Sequence, residues 1–189
     1  VAAACLASGA MPLHDAYRIV NNMAGLEPGV YRLHRERQAL ELLRAGEFRA
    51  QAGRLALGQA YAAEAHVNHY YLTDLDAVLA RYGNRGYRLA QLESALYASK
   101  LHVGTHALGL GAAGSGSYDD EVSEFFAPPA AGQSYLFVLT SGLKRRGAAS
   151  AVPVRVGLTV AGRAARGARP VTGRRRPTPG VSPRWRALC

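Results

Sequence analysis

The chain has 189 residues, 49% hydrophobic and 19% charged, a balance that suits one globular domain with a buried core. Its net charge of +10 comes from one end, because residues 144–189 hold 12 of the 23 basic side chains and none of the 13 acidic ones. The other residues have no basic excess that would indicate nucleic-acid binding, and no run of about 18 apolar residues predicts a membrane span.

Two cysteines, Cys5 and Cys189, stand near opposite ends of the chain. Two such residues make neither a disulfide framework nor a metal cluster, and they are typical of unpaired thiols in a reducing cytoplasm. The chain starts at Val1 without an initiator Met, and its apolar start lacks the basic residues of a signal peptide. We therefore expect a cytoplasmic protein whose chain is cut at its N-terminus.

The first half of the chain has the composition of short strands, a turn and one helix. The turn is GLEPG, where Pro28 presets the backbone and Gly29 tolerates a left-handed conformation. The Ala-rich residues 47–63 carry side chains such as Phe48 and Leu55 at helical spacing, which predicts one helix. Strand composition marks residues 15–21, 30–33, 39–43 and 66–72.

The second half contains clearer helix signals. Thr73 or Asp74 caps a helix that Gly83 ends. Residues 117–126 predict a short helix with acids in its first turn, where the helix dipole favours them. Residues 134–140 (SYLFVLT) predict a central strand.

A long helix is predicted over residues 89–108. Alanines and Leu101 make its flanks apolar as well, so we expect it to be largely buried. The apolar positions at spacings of three and four are Leu89, Leu92, Leu96, Val103 and Ala107.

The order of these elements predicts an α+β domain over residues 1–147, with an antiparallel-rich sheet packed on the long buried helix. The composition changes after Gly147. Residues 151–160 predict one more strand, but the basic segment at residues 148–189 is mostly Arg, Pro and Gly, which predicts disorder.

Gly109, Gly111 and Gly114 spell G-x-G-x-x-G. A dinucleotide-binding fingerprint needs a strand before its first glycine, a helix directly after its third and an acidic residue about 20 positions later. This motif follows a helix instead, and residues 133–143 contain no acid. We therefore interpret Gly109 or Gly111 as the end of the helix, followed by a bare main-chain stretch that a flat molecule can approach.

Three blocks of sequence carry a resemblance to a known family. They are GLEPGVYRL, RYGNRGYRLAQLE and HALGLGAAGSGSYDDEVSEFF, at residues 25–33, 81–93 and 106–126. In this order and spacing they resemble the nitroreductase superfamily, and most of all its SagB-type branch, which includes azoline dehydrogenases of peptide maturation. The resemblance covers residues 7–142.

The resemblance implies an FMN-dependent oxidoreductase that works as an intertwined homodimer, with the flavin at the subunit interface. A peptide-derived azoline or a similar small molecule would be the substrate. In the family, one segment lies against the flavin ring, and Ser8, Gly9 and Ala10 match it. A second segment contacts the ring with its backbone, and Gly111, Ala112, Ala113 and Gly114 match it. The resemblance places Lys144 or Arg145 at the flavin phosphate.

The catalytic pair that the resemblance implies is Arg81 and Tyr82, where peptide-oxidising members carry Lys and Tyr. A tyrosine hydroxyl can donate or accept the proton when a substrate C–H bond is oxidised. A guanidinium stays protonated, so Arg81 is limited to orienting the substrate or stabilising negative charge.

The chain departs from the family at two places. The family's N-terminal helices, with their Arg-rich phosphate motif, are absent before Val1, which predicts an incomplete copy. On the long helix, Ala95-Leu96 and Ser99-Lys100 replace the usual Gly-His and Gln-Asn. These departures keep open an alternative, a flavin-free pseudoenzyme or partner-binding subunit with the same fold.

Other candidate residues have simpler interpretations. His102 and His106 have the spacing of two zinc ligands on a helix, but no third ligand accompanies them, so no metal site is predicted. Asp119 and Asp120 suit a helix N-terminus better than a catalytic pair. The arginines at residues 174–176 can bind an anionic surface or nucleic acid, although a solvated tail is the simpler interpretation.

Overall fold

The computed structural model describes residues 13–144, which form an α+β fold built on one six-stranded antiparallel sheet. The strand order is β3-β2-β1-β4-β6-β5. The strands are β1 (Asp15–Val20), β2 (Gly29–His34), β3 (Ala39–Ala45), β4 (Val67–Thr73), β5 (Gly111–Ser115) and β6 (Ser134–Gly142). The helices are α1 (Arg49–Leu55), α2 (Ala60–Glu64), α3 (Leu75–Tyr82), α4 (Gly86–Ala107) and α5 (Asp119–Phe125), with a 3-10 turn at Gly83–Arg85. The predicted fold class is confirmed.

Helices cover both faces of the sheet, because successive strand residues point to opposite sides. On one face, Tyr17, Tyr70 and Val138 pack against Leu55 of α1 and against Phe126, which directly follows α5. On the other face, Ala16, Tyr71 and Leu136 pack against Val78 of α3 and against Ala90 and Ala98 of α4. The long helix therefore lies on the sheet, as predicted.

The predicted helix ends are confirmed in detail. The Asp74 carboxylate accepts a hydrogen bond from the Ala77 N–H at 3.0 Å, and Gly83 ends α3 with a φ of 61°. At the end of α4, the Leu110 N–H donates to the Thr105 carbonyl at 3.0 Å, and Gly109 has a φ of 76°. This is the Schellman arrangement, and it requires a left-handed residue at Gly109.

The single helix predicted over residues 47–63 is wrong, because the structure breaks it into α1 and α2. Leu57 and Gly58 separate them with φ angles of 58° and 75°. A helix cannot continue through left-handed residues, and Gly58 adopts this conformation without steric strain.

The bare main-chain stretch predicted after Gly109 is a strand, β5, and not a loop. Residues 111–115 pair with β6 in a register from Gly111↔Gly142 to Ser115↔Val138. Glycine and alanine have low strand propensity, so the sequence pattern gives no sign of this element. Pairing with the central strand β6 supplies the hydrogen bonds that override propensity.

The prediction that α4 is largely buried is wrong on one side. The sheet-facing side consists of small residues, Gly86, Ala90, Ser94, Ala98 and Thr105. The larger apolar residues point away from the sheet: Leu89 is 39% exposed, Leu92 58%, Leu96 54% and Val103 68%. Small residues let the helix approach the sheet closely, which leaves the apolar stripe on the opposite side.

The predicted strand at residues 151–160 and the tail at residues 148–189 lie outside the described residues. Within residues 13–144, no helix combines the length and the apolar character needed to cross a bilayer.

Candidate functional site

The candidate site residues divide between the two ends of the sheet. At one end, Asp15 of β1 pairs with Leu72 near the end of β4. This end of β4 leads into α3, whose last residues are Arg81 and Tyr82. At the other end of β4, Val67 pairs with Ser141 of β6, next to the start of β5. Six residues of β1 separate these two ends by about 20 Å.

Gly111 and Lys144 lie next to each other at the end of the sheet where β5 begins. A Cβ on Gly111 would lie 3.4 Å from the Lys144 Cγ, so the glycine leaves room for the lysine side chain. This pair brings together two of the residues that the sequence assigns to flavin binding. It lies beyond the last residue of α4.

The glycine face of β5 is filled and not bare. A Cβ on Gly114 would lie 2.7 Å from the Phe137 Cζ, and the Ala113 carbonyl accepts a hydrogen bond from the Thr140 hydroxyl at 3.1 Å. The prediction of an open face at Gly114 is therefore wrong on the side where a Cβ would project. What β5 offers is its outer edge, because it is the last strand of the described sheet and an edge strand presents main-chain N–H and C=O groups there.

Arg81 and Tyr82 form an exposed pair at the C-terminal end of α3. The Arg81 guanidinium carbon lies 5.1 Å from the centre of the Tyr82 ring, within cation–π range. The Tyr82 side chain is 36% exposed and therefore accessible to a ligand. The guanidinium adds a positive charge beside the phenol.

A single chain keeps the two groups of candidate residues apart. Tyr82 precedes α4, and Gly111 follows it. The 22 residues of this helix span about 33 Å. The candidate catalytic pair and the candidate flavin contacts therefore belong to one site only if a second chain contributes part of it. Ser8, Gly9, Ala10 and Arg145 lie outside the described residues.

A partly buried contact holds Leu13, which stands three residues after Ala10 in the sequence. The Glu93 carboxylate of α4 accepts a hydrogen bond from the Leu13 N–H at 2.7 Å and lies 2.8 Å from the His14 Nδ1. The Thr73 hydroxyl donates to the Leu13 carbonyl. Both main-chain groups of Leu13 are thus fixed. Glu93 is not among the residues predicted from the sequence, although an acid on a helix that packs on a sheet indicates a specific partner.

His14 is neutral in this contact. Burial lowers the pKa of His14 below 6.5, and this effect outweighs the opposing effect of the hydrogen bond that His14 donates to Glu93. Burial alone would raise the pKa of Glu93, but its contacts with His14, the Leu13 N–H and Arg35 together lower it. The rings of Tyr71 and Tyr97 meet the imidazole edge-on at 5.1 and 5.0 Å. Glu93 is consequently ionised near neutral pH and accepts from both neighbours.

A second buried polar group lies under α4. His69 is 3% exposed, and its Nε2 lies 3.0 Å from the Ser141 hydroxyl. Arg18 faces His69 in the register of β1 and β4 and is 7% exposed. Burial, with the Arg18 cation adding to it, lowers the pKa of His69 well below 6.5. This histidine is a core residue and does not reach solvent.

The remaining candidates lie on α4 and α5. His102 and His106 lie side by side with their Nε2 atoms 3.1 Å apart, and no three His, Cys, Asp or Glu side chains in residues 13–144 group closely enough to hold a metal ion. The Asp119 carboxylate accepts a hydrogen bond from the Tyr135 N–H at 2.6 Å, which ties α5 to β6.

Comparison with known proteins identifies structures with the same fold. No protein-family model matches the chain. Over 70% of its length it superposes with a TM-score of 0.67 and 29% identity on a crystal structure from Anabaena variabilis, provisionally named a nitroreductase. The chain has the nitroreductase fold. A Methanocaldococcus jannaschii protein with the same provisional name is 29% identical over 111 residues, and these matches together support the nitroreductase superfamily.

More distant structures show the fold alone. They include the E. coli microcin synthetase complex McbBCD with truncated pro-MccB17 bound, at 20% identity and a TM-score of 0.61 over 73% of this chain and 54% of that one. A Ralstonia eutropha protein, also provisionally named a nitroreductase, has 17% identity and a TM-score of 0.58 over 72% of this chain and 60% of its own. The match to the M. jannaschii relative covers 58% of this chain and 56% of that protein. The chain spans 27% of the A. variabilis protein.

Proposed function

We propose that the protein is an FMN-dependent oxidoreductase of nitroreductase type that works as a homodimer, with the flavin between the two subunits. The observation that carries the proposal is the split site: Arg81 and Tyr82 lie before the N-terminal end of α4, whereas Gly111 and Lys144 lie beyond its C-terminal end. The likeness to nitroreductases supports the chemistry.

The exposed stripe on α4 is the surface for the second subunit. Leu89, Leu92, Leu96 and Val103 are separated by three, four and seven residues, which places them on one helix face opposite Ala90 and Ala98. Four large apolar residues on one exposed face are typical of an interface. We infer that this stripe packs against the same stripe of a second copy.

An antiparallel pairing of two such helices would unite the split site. The N-terminal end of one α4 would then lie beside the C-terminal end of the other. Tyr82 of one subunit would approach the Gly111–Gly114 strand and Lys144 of its partner. A two-fold axis makes two such sites, one at each end of the helix pair.

The described residues fit a flavin at the strand edge. The outer edge of β5 has main-chain groups for hydrogen bonds to a polar ring edge, and Lys144 beside Gly111 is a cation for a phosphate. The filled face at Gly114 does not receive the ring. FMN, when bound, supplies the hydride-accepting centre, so the protein's own residues have only to bind, orient and move a proton.

Tyr82 and Arg81 are the proposed groups for that proton. The Tyr82 hydroxyl would take a proton from the substrate or return one, and the Arg81 guanidinium would stabilise the negative charge that develops beside it. The substrate class proposed from the sequence resemblance is a peptide-derived azoline or a similar small molecule.

FMN titration of the full chain tests the proposal. We expect saturable quenching of FMN fluorescence at one flavin per subunit, weakened by Lys144→Gln through loss of a phosphate contact. The matched control, Arg54→Gln, removes one exposed positive charge elsewhere and should leave binding unchanged. Tyr82→Phe should keep FMN binding but slow substrate oxidation by about 10²-fold or more.

The alternative is a flavin-free partner-binding subunit with the same fold. It is favoured by Leu96, Ser99 and Lys100, which stand where the family usually has other residues. Under this alternative the full chain takes up no FMN, and Tyr82→Phe changes no measurable function.

A further inference from the structure

We propose that His102, His106 and Lys144 together bind the phosphate group of the flavin, and that the two histidines take up a proton as it binds. These three side chains, the basic cluster, lie at the end of the sheet where α4 ends and β5 begins. The inference rests on the proposed function. It adds two residues to the phosphate site and makes flavin affinity depend on pH.

The two histidines converge on one point at the C-terminal end of α4. They are four residues apart, which places them on one face of the helix. Their Nε2 atoms lie 3.1 Å apart and their ring centres 4.7 Å apart. His106 is exposed and His102 is half-buried, so solvent and its solutes can reach the pair. One group with several oxygens can therefore accept hydrogen bonds from both rings.

Lys144 brings a third basic group to this point. It follows β6 and lies against Gly111, where a Cβ would be 3.4 Å from the lysine Cγ. Gly111 comes five residues after His106, and the Lys144 ammonium is close enough to act electrostatically on that imidazole. The exposed lysine carries three N–H groups for an anion. Its positive charge disfavours a metal ion at the two histidines.

No carboxylate offsets the basic cluster within residues 13–144. The charges that act on His106 are those of its two cluster partners, and neither is an acid. No ion pair in the described part of the chain includes a member of the cluster. Lys100 on α4 and His66, which lies against Gly142, are basic as well, and β5 contributes only Gly, Ala and Ser. Residues 1–12 and 145–189 contain no Asp or Glu.

The uptake of a proton follows from the charges around His106. Burial, with the nearby His102 and Lys144 adding to it, lowers the pKa of His106 below 6.5, so this imidazole is neutral at about pH 7.5. A phosphate bound by the cluster would favour the protonated imidazole, because an anion stabilises a neighbouring cation. The C-terminal end of a helix also stabilises a cation, and His106 lies in the last turn of α4.

Two titrations of the full chain test this inference. In the first, inorganic phosphate is added at constant ionic strength in chloride, and NMR follows the imidazole signals from about pH 8 to about pH 5.5. The signals are assigned from their loss in His102→Gln and His106→Gln. In the second, fluorescence quenching follows the binding of FMN, with riboflavin, which lacks the phosphate, as the matched ligand. Unfolding midpoints verify that each variant folds.

We expect inorganic phosphate to raise the pKa of His106. FMN should bind more tightly as the pH falls from about 8.5 to about 7, by up to about tenfold per pH unit for one proton taken up. Phosphate monoesters are mostly dianionic in this range, so the added proton belongs to the histidines.

His106→Gln should weaken FMN binding by about tenfold at about pH 7 and reduce its pH dependence. Riboflavin binding should change neither with pH nor with this substitution. The matched control is His34→Gln, at a half-exposed histidine paired with Glu41, and it should bind FMN as the unaltered chain does.

The outcomes separate this inference from the proposed function. FMN binding that stays equally tight and equally pH-dependent in His106→Gln would overturn the inference and leave the proposed function standing. Histidine signals that do not respond to phosphate would also overturn it. A chain whose histidines respond to phosphate, but which binds neither FMN nor riboflavin, would keep the phosphate site and overturn the proposed function.

Discussion

His69 lies beneath α4, where Ser141 meets its Nε2 and the Arg18 cation lies close. Because its pKa is lowered in the folded chain, the unfolded chain binds more protons below about pH 6.5. The free energy of unfolding should therefore fall as the pH falls, by up to about 1.4 kcal/mol per pH unit for each such histidine.

His69→Gln tests this at the residue scale. The glutamine amide keeps a hydrogen-bonding group but does not titrate. Urea unfolding midpoints of this variant, measured from about pH 7.5 to about pH 5.5, should therefore fall less steeply with falling pH than those of the unaltered chain. His34→Gln, at a half-exposed histidine, serves as the control. Equal slopes in His69→Gln and the unaltered chain would show that His69 does not carry the acid sensitivity.

Glu93 gives a second prediction for a single residue. Glu93→Gln removes the charge that accepts from the Leu13 N–H and the His14 imidazole. We expect a loss of about 1–3 kcal/mol in the free energy of unfolding, measured by urea titration. Glu47→Gln, at an exposed acid 3.9 Å from Arg49, should change it by less than about 0.5 kcal/mol. Equal effects would contradict a structural role for Glu93.

The sequence alone predicts the positions of some candidate site residues. The motif that contains Arg81 and Tyr82 predicts a helix end, and the structure places both there. The contact of Glu93 with Leu13 could not be predicted, because it joins parts of the chain that are distant in sequence. The two residues become neighbours only when α4 packs on the sheet.

At the scale of elements, β5 depends on small residues. Gly114→Ala places a Cβ 2.7 Å from the Phe137 Cζ, so the ring or the strand must shift. We expect a loss of about 1–3 kcal/mol in the free energy of unfolding. Gly116→Ala is the matched control, because its Cβ would meet only Leu57 at 3.4 Å. Combining Gly114→Ala with Phe137→Leu should recover part of the loss.

If Gly114→Ala were as stable as Gly116→Ala, the packing of Phe137 over β5 would be contradicted. The same strand shows where element prediction fails. Caps and glycine stops at Asp74, Gly83 and Gly109 are local, and the sequence predicts them correctly. The pairing of β5 with β6 is not local. The split between α1 and α2 has a local signal in Gly58, but the left-handed backbone at Leu57 has none.

At the scale of the whole molecule, the stripe on α4 predicts self-association. Leu92→Glu, alone or with Leu96→Glu, places a charge in the proposed interface and should raise the dimer dissociation constant by about 100-fold or more. Analytical ultracentrifugation measures it. Gln51→Glu adds the same charge on the exposed surface of α1 and should leave the dimer intact. A dimer unaffected by both leucine substitutions would place the interface elsewhere.

The sequence predicts the presence of the long helix but not the direction of its apolar side. Apolar residues occur around the whole of α4, so periodicity cannot distinguish the side that faces the sheet from a side that packs against a second subunit. The structure shows that the small residues form the sheet-facing side, because Ala90 and Ala98 pack against Ala16 and Tyr71.

The central claim is a flavin held between two subunits. Size-exclusion chromatography of the full chain with added FMN, with light scattering and absorbance recorded together, tests it most directly. We expect flavin absorbance to co-elute with a species of twice the 20.1 kDa chain mass, and Leu92→Glu with Leu96→Glu to abolish both the dimer and the bound flavin. A chain that elutes as a colourless monomer, or that binds FMN equally well as a monomer, would rule out a flavin held between two subunits.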